Sequence, residues 1–188
     1  MRIAVKPGFF SAEDCASLST VTLRGVVEGW VSTGIGAGGL GTTGRKTSRL
    51  YMKSKAYPAV VGQCMDKILA FMGLTRYSLI LGGHGADGAV TSITYKGDDV
   101  YPHCDPKLPG LSILRCNVVT QASEAGGKLY VGGALVDVNV GDLHCYLASD
   151  YPHKVTSVTG DTPRILWMFG AQVPKDAWEL KQILPEAS

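Results

Sequence analysis

From residue 77 to residue 173 the chain runs in short stretches rich in valine, isoleucine, threonine and tyrosine. Glycine, aspartate or proline breaks each stretch within a few residues. Stretches this short cannot make packed helices, and β-branched residues between turn-formers favour pleated backbone. The strands expected are 78–81, 89–95, 100–105, 112–120, 128–131, 134–140, 143–147, 153–158 and 164–169, with turns at 82–88, 96–99, 124–127, 141–142 and 160–161. Eight or so short strands at this spacing predict a jelly roll or barrel, the arrangements that hide most sheet edges.

The first 75 residues read differently. A helix is expected from 12 to about 18, with Ser11 as N-cap and Asp14 returning a bond to the Ser11 amide. Phe9 and Phe10 precede it as a hydrophobic staple. A second helix is expected over 58–71. Proline suits its first turn, Val61, Met65, Ile68, Leu69 and Met72 form one apolar stripe, and Gly73 ends it. Between the helices, 34–44 holds six glycines in eleven residues. Its formal G-x-G-x-x-G match is not a dinucleotide fingerprint. No hydrophobic strand leads into it, no helix follows, and no acidic residue stands about twenty positions on. The segment reads as a surface loop or as a lid at a pocket mouth. Arg45, Lys46, Arg49, Lys53 and Lys55 then form a basic stretch. It is either a solvated face or a substrate-recruiting patch in which Arg49 is the best candidate.

Composition narrows the function classes. At 188 residues the chain suffices for one sizeable core. A net charge of +2 gives no reason to expect nucleic acid as a partner. No apolar run is long enough for a signal peptide or a membrane span, so no membrane association is expected. Five cysteines, odd in number and without paired spacing, fit reduced thiols and a cytoplasmic setting.

The chemistry concentrates in a few positions. His103 and Asp105 are two apart, so on one strand both side chains leave by the same face. Two imidazoles and one carboxylate can hold a ferrous ion on one side and leave the opposite positions open. The second imidazole is His144 or His153. His144 alternates with Leu143, Cys145 and Leu147 and so points away from their apolar face. His153 follows a Tyr-Pro turn, 48 residues after Asp105. His84 lies in a glycine turn and is a weaker candidate. Arg164 stands at the head of the apolar run Ile165-Leu166-Trp167-Met168-Phe169. A guanidinium there offers two parallel donors to a carboxylate.

Taken in order, these elements resemble the iron(II)- and 2-oxoglutarate-dependent oxygenases, in their prolyl-4-hydroxylase-like branch. The resemblance rests on Tyr95-Lys96-Gly97 ahead of His103-Cys104-Asp105, on Gly126-Gly127-Lys128-Leu129 and on Gly141-Asp142-Leu143. It closes with His153, Val155, Val158 and Gly160 leading to Arg164, eleven positions after the histidine and one more than is usual. It spans about residues 9–173.

The resemblance implies a mainly β (α+β) fold, a double-stranded β-helix of jelly-roll, cupin-like type with N-terminal flanking helices. One domain would cover 1–188, helical over about 1–75 and jelly-roll over about 77–173. It selects His153 over His144, giving Fe(II) held by His103, Asp105 and His153. It implies 2-oxoglutarate as co-substrate, anchored by Arg164, with Tyr95 and Asn117 as further contacts, and O2 as oxidant. The activity implied is that of a dioxygenase, a hydroxylase of an unactivated C–H bond, with succinate and CO2 as co-products. The aspartate at 105, where related halogenases carry a small residue, favours hydroxylation and leaves desaturation or ring formation open. The substrate would be a free amino acid or other small molecule, or a peptide or protein side chain. Two other readings are a cupin-like metal enzyme that does not use 2-oxoglutarate and a non-catalytic jelly-roll binding module.

Overall fold

The computed structural model describes residues 3–33, 42–43, 46–50, 58–73, 88–106 and 109–174. Among them the strands form three antiparallel sheets. The largest runs β1 (Ile3–Lys6), β11 (Leu143–Leu147), β7 (Leu111–Gln121), β14 (Arg164–Pro174), β5 (Gly88–Thr94), β4 (Lys46–Leu50) and β2 (Ser32–Thr33). The second runs β10 (Ala134–Val136), β9 (Leu129–Val131), β12 (His153–Val155), β6 (Asp99–His103) and β3 (Thr42–Thr43). A short pair joins β13 (Val158–Thr159) to β8 (Ala125–Gly126). This is the jelly roll expected from the strand spacing.

Strand alternation divides the large sheet into two faces. Ile165, Trp167, Phe169, Ala171 and Val173 of β14 belong to a core cluster with Leu114, Cys116 and Val118 of β7 and Leu143, Cys145 and Leu147 of β11. Two helices complete that cluster from outside, α1 (Ala12–Val27) through Cys15, Leu18 and Val21, and α2 (Ala59–Phe71) through Val61, Cys64, Met65, Ile68 and Leu69. Trp167 Nε1 donates to the Leu18 carbonyl at 3.0 Å, so its polar atom is satisfied inside this layer. The opposite face turns toward the second sheet. A smaller cluster there joins Tyr146 and Ala148 to Val100, Leu129, Val131, Val136 and Val155.

The helix signals hold at the starts. The Ser11–Asp14 capping box is present, each of its two bonds at 3.0 Å. The Phe9 ring lies 4.9 Å from both Phe10 and Phe71, so the staple also ties α1 to α2. Pro58 is the N-cap of α2, in extended backbone, and Gly73 follows its end at φ +63°. Helix α1, expected to stop near residue 18, continues to Val27. The run Ser-Thr-Val-Thr has weak helix propensity, but tertiary contacts override it. Ser19 Oγ bonds Thr120 Oγ1 at 2.9 Å, and Thr22 Oγ1 lies 2.6 Å from Thr91 Oγ1. Gly25 leaves room for the Trp30 ring, which a β-carbon would meet at 2.5 Å.

Other boundaries differ as well. The strand expected over 100–105 ends at His103, so Asp105 sits just past the strand. The 134–140 strand stops at Val136, and 153–158 divides into β12 and β13. The last strand runs on from the expected 169 to Pro174. Residues 46–50 of the basic stretch form β4, paired with β5. Most of the 34–44 loop, Arg45, Lys53, Lys55, the 78–81 strand and His84 lie outside the described residues. Among the described residues no helix is long and apolar enough to cross a membrane. All five cysteines are free thiols.

Candidate metal centre

The centre begins with a strand pairing. Strands β6 and β12 are antiparallel neighbours, and their register sets His103 opposite His153. Cross-strand partners present their side chains together, and the two imidazole centroids lie 4.3 Å apart. Asp105 is delivered by the turn after β6, its amide donating to the Ala148 carbonyl at 2.9 Å. One potential ligand atom from each of His103, Asp105 and His153 lies within 4.8 Å of the other two. His144 is not part of this group.

Each imidazole is aimed by its own backbone. His103 Nδ1 lies 2.8 Å from the Tyr101 carbonyl and His153 Nδ1 lies 3.2 Å from the Tyr151 carbonyl. A carbonyl can only accept, so each Nδ1 carries a proton, and Nε2 is the ring nitrogen left facing the cluster. Burial, then the neighbouring His103, pushes the His153 pKa down to about 4, which keeps the ring neutral near pH 7. Burial alone would raise the Asp105 pKa. The Arg115 guanidinium, with help from His153, reverses this and holds the carboxyl below its usual range. Arg115 Nε donates to Asp105 Oδ2 at 2.8 Å, while Oδ1 lies 3.9 Å from His103 Nε2. One carboxylate oxygen is engaged and the other turns toward the imidazoles.

The inner face of the large sheet continues away from this triad. Arg115 and Asn117 of β7 stand in register with Tyr146 and His144 of β11. Tyr146 is buried, its ring 5.4 Å from that of His153. Burial, then the Asp105 carboxylate, pushes the Tyr146 hydroxyl above its ordinary range. Arg164 opens β14 on the same face, 4% exposed, opposite Thr94 of β5. Its positive charge acts on both Tyr146 and His144. The run is thus triad, Tyr146, Asn117 and His144, with the guanidinium beyond.

Among the described residues, several polar atoms on this face have no hydrogen-bond partner. They are Asn117 Oδ1, both ring nitrogens of His144, and the amide atoms of Gln172, all in residues no more than 2% exposed. A buried group without a partner costs about 1–3 kcal/mol, so such a face suits a polar occupant. Two imidazoles and a carboxylate are the donor set of a ferrous centre with open positions. A buried arginine at the far end suits the outer carboxylate of a chelating dicarboxylate. The residues therefore fit both iron and 2-oxoglutarate.

The sequence candidates divide accordingly. His103, Asp105 and His153 come together, and Arg164 and Asn117 lie on the face that leads to them. Tyr95 does not join this face. It follows the end of β5 and packs against the helix-side cluster, its hydroxyl pKa raised by burial and by Asp98. Tyr146 is the tyrosine that stands on this face. Arg115, Tyr146 and His144's orientation carried one signal in the sequence. Arg115 alternates with Asn117, and Tyr146 with His144, opposite the apolar Leu143, Cys145 and Leu147.

No family model and no curated protein sequence matches the chain. Solved structures do. A prolyl-4-hydroxylase from Pseudomonas putida superposes with TM-score 0.65 at 16% identity, covering 92% of each chain. A viral collagen prolyl hydroxylase from Paramecium bursaria Chlorella virus-1, in complex with 2-oxoglutarate, gives TM-score 0.65 at 12% identity over 92% of this chain and 97% of that one. A prolyl hydroxylase from Trichoplax adhaerens, in complex with a hypoxia-inducible-factor peptide fragment, gives TM-score 0.65 at 14% identity over 95% and 86%. The chain has the jelly-roll fold of the prolyl-4-hydroxylase-like 2-oxoglutarate oxygenases.

Proposed function

We propose that this chain is an Fe(II)- and 2-oxoglutarate-dependent dioxygenase that hydroxylates an unactivated C–H bond. The observation that carries the proposal is the pairing of a His103–Asp105–His153 cluster, carried by the second sheet, with a buried arginine on the large sheet. His103 and His153 would bind the metal through Nε2, since Nδ1 of each is committed to a backbone carbonyl. Asp105 would bind through Oδ1 alone. Arg115 holds Oδ2, so the carboxylate is kept from occupying a second position on the metal. Arg164 would take the distal carboxylate of 2-oxoglutarate through its two parallel N–H donors, and Asn117 would contribute from the neighbouring strand. Tyr146 packs its ring against that of His153, 5.4 Å between centroids.

When bound, iron and 2-oxoglutarate together would supply the oxidising power, consuming O2 and releasing succinate and CO2. The chain's own contribution is orientation and shielding. The inner face is enclosed by both sheets, and each imidazole is oriented by a bond to its own backbone. The three structures compared above are prolyl hydroxylases, one of them holding a peptide. This supports a prolyl or other side chain in a peptide or protein as the first substrate to test, with free amino acids next.

The test incubates the purified chain with Fe(II), O2 and labelled 2-oxoglutarate, alone and with a panel of prolyl peptides and amino acids. Labelled succinate and a substrate mass gain of one oxygen atom are expected. Metal binding without succinate formation under any of these conditions would overturn the co-substrate assignment.

A further inference from the structure

His144 is 1% exposed, and among the described residues neither ring nitrogen meets a hydrogen-bond partner. The Asp142 backbone bears on the ring's protonation, but neither nitrogen reaches a hydrogen-bond partner within ordinary bond geometry. An imidazole always carries at least one N–H or one lone pair that needs a partner. Here the ring stands beside Asn117, its register partner, whose Oδ1 is also unpartnered. The charges that act on His144 are those of Arg164 and Asp142. Those acting on Tyr146, two residues on, are led by Asp105 and Arg115, with Arg164 the weakest, whereas Arg164 is the leading charge on His144. Along one strand face, Tyr146 therefore lies toward the triad and His144 toward the guanidinium. Burial and Arg164 both disfavour a proton on the ring, so it offers one N–H and one lone pair and adds no charge.

We propose that His144 is a specificity-determining co-substrate contact, its ring N–H donating to the distal carboxylate that Arg164 anchors. The proposal rests on the reading of the chain as a 2-oxoglutarate-dependent enzyme. It adds a donor that is not one of the metal ligands and not the arginine. Arg164 supplies the countercharge. His144 supplies a directed bond that only a ligand reaching that depth can satisfy. A 2-oxoacid with the same chelating head but no distal carboxylate would gain nothing from it. The unpartnered nitrogens of the ligand-free protein are then the cost of a pre-formed contact.

The experiment measures binding to the intact chain loaded with Fe(II) in the absence of oxygen, by calorimetry. The ligands are 2-oxoglutarate and 2-oxobutyrate, which lacks the distal carboxylate. The proteins are wild type, His144→Leu, His144→Met as a second apolar replacement, and His144→Gln, which keeps an N–H. In the apolar variants 2-oxoglutarate should bind about tenfold more weakly, while 2-oxobutyrate should stay within about twofold. Their ligand-free melting temperature should be unchanged or higher, because an unpartnered polar ring has gone. His144→Gln should recover part of the lost affinity. Unchanged 2-oxoglutarate affinity in His144→Leu and His144→Met would overturn the proposal, as would equal weakening of both ligands, the mark of a merely structural role. A wild-type chain that binds neither 2-oxoacid would instead contradict the 2-oxoglutarate reading itself.

Discussion

Gly127 lies against the Arg164 side chain so closely that a β-carbon on it would come within 2.8 Å of Arg164 Cδ. Its backbone is also at φ +63°, where other residues are strained. The turn before β9 thus leaves a gap of one missing side chain, through which the arginine stem passes. Gly127→Ala should therefore displace Arg164 without touching a metal ligand. The expected outcome is a several-fold rise in KM for 2-oxoglutarate with metal affinity unchanged, together with roughly 1–2 kcal/mol lost in chemical denaturation.

Arg115 and Asp105 form a pair whose members are 10% and 13% exposed in their side chains. Removing one partner of a buried pair leaves the other charged and unpaired, at a cost of roughly 3–5 kcal/mol. Arg115→Met should lower the denaturation midpoint strongly and weaken metal binding. Adding Asp105→Asn to Arg115→Met should restore much of the stability while metal binding stays low. That reversal separates a positioning role from simple packing, and a double-mutant cycle in guanidinium measures it.

Acid should destabilise the metal-free chain in a window set by its buried histidines. An unfolded histidine takes up a proton near pH 6.5, whereas folded His144 does so only near pH 3 and His153 near pH 4. Between about pH 6.5 and 4 the unfolded state binds more protons, so stability is full above 6.5 and falls as pH drops. Each group adds a slope of up to about 1.4 kcal/mol per pH unit. His144→Leu should flatten that slope by one group's share. Calorimetric melting at several pH values with chelator present checks this, and an unchanged slope would place His144 in water.

The jelly roll was legible because its signal is coarse. Strand spacing and turn residues between 88 and 173 need no exact boundaries. The triad was legible because His103 and Asp105 bracket one residue, and because His153 stands in an ordered set of elements that excludes His144. What escaped were facts of register. Nothing local says that Arg115 meets Asp105 across a turn, or that Tyr146 stands beside His153. Those depend on β7 and β11 pairing Arg115 with Tyr146. Asp105 was expected on a strand and lies beyond its end, since a two-residue spacing cannot distinguish a strand from the turn that follows it. The length of α1 was hidden because serine and threonine hydroxyls that weaken a helix alone are satisfied here, Ser19 by Thr120 and Thr22 by Thr91 and the Leu18 carbonyl.

Diffraction at the iron absorption edge, from crystals grown without oxygen in Fe(II) and 2-oxoglutarate, tests the proposed centre most directly. The expected result is a single iron peak among His103 Nε2, Asp105 Oδ1 and His153 Nε2, with the dicarboxylate running from that peak to the Arg164 guanidinium. Iron held elsewhere, or a dicarboxylate that binds without meeting both the metal and Arg164, would contradict it.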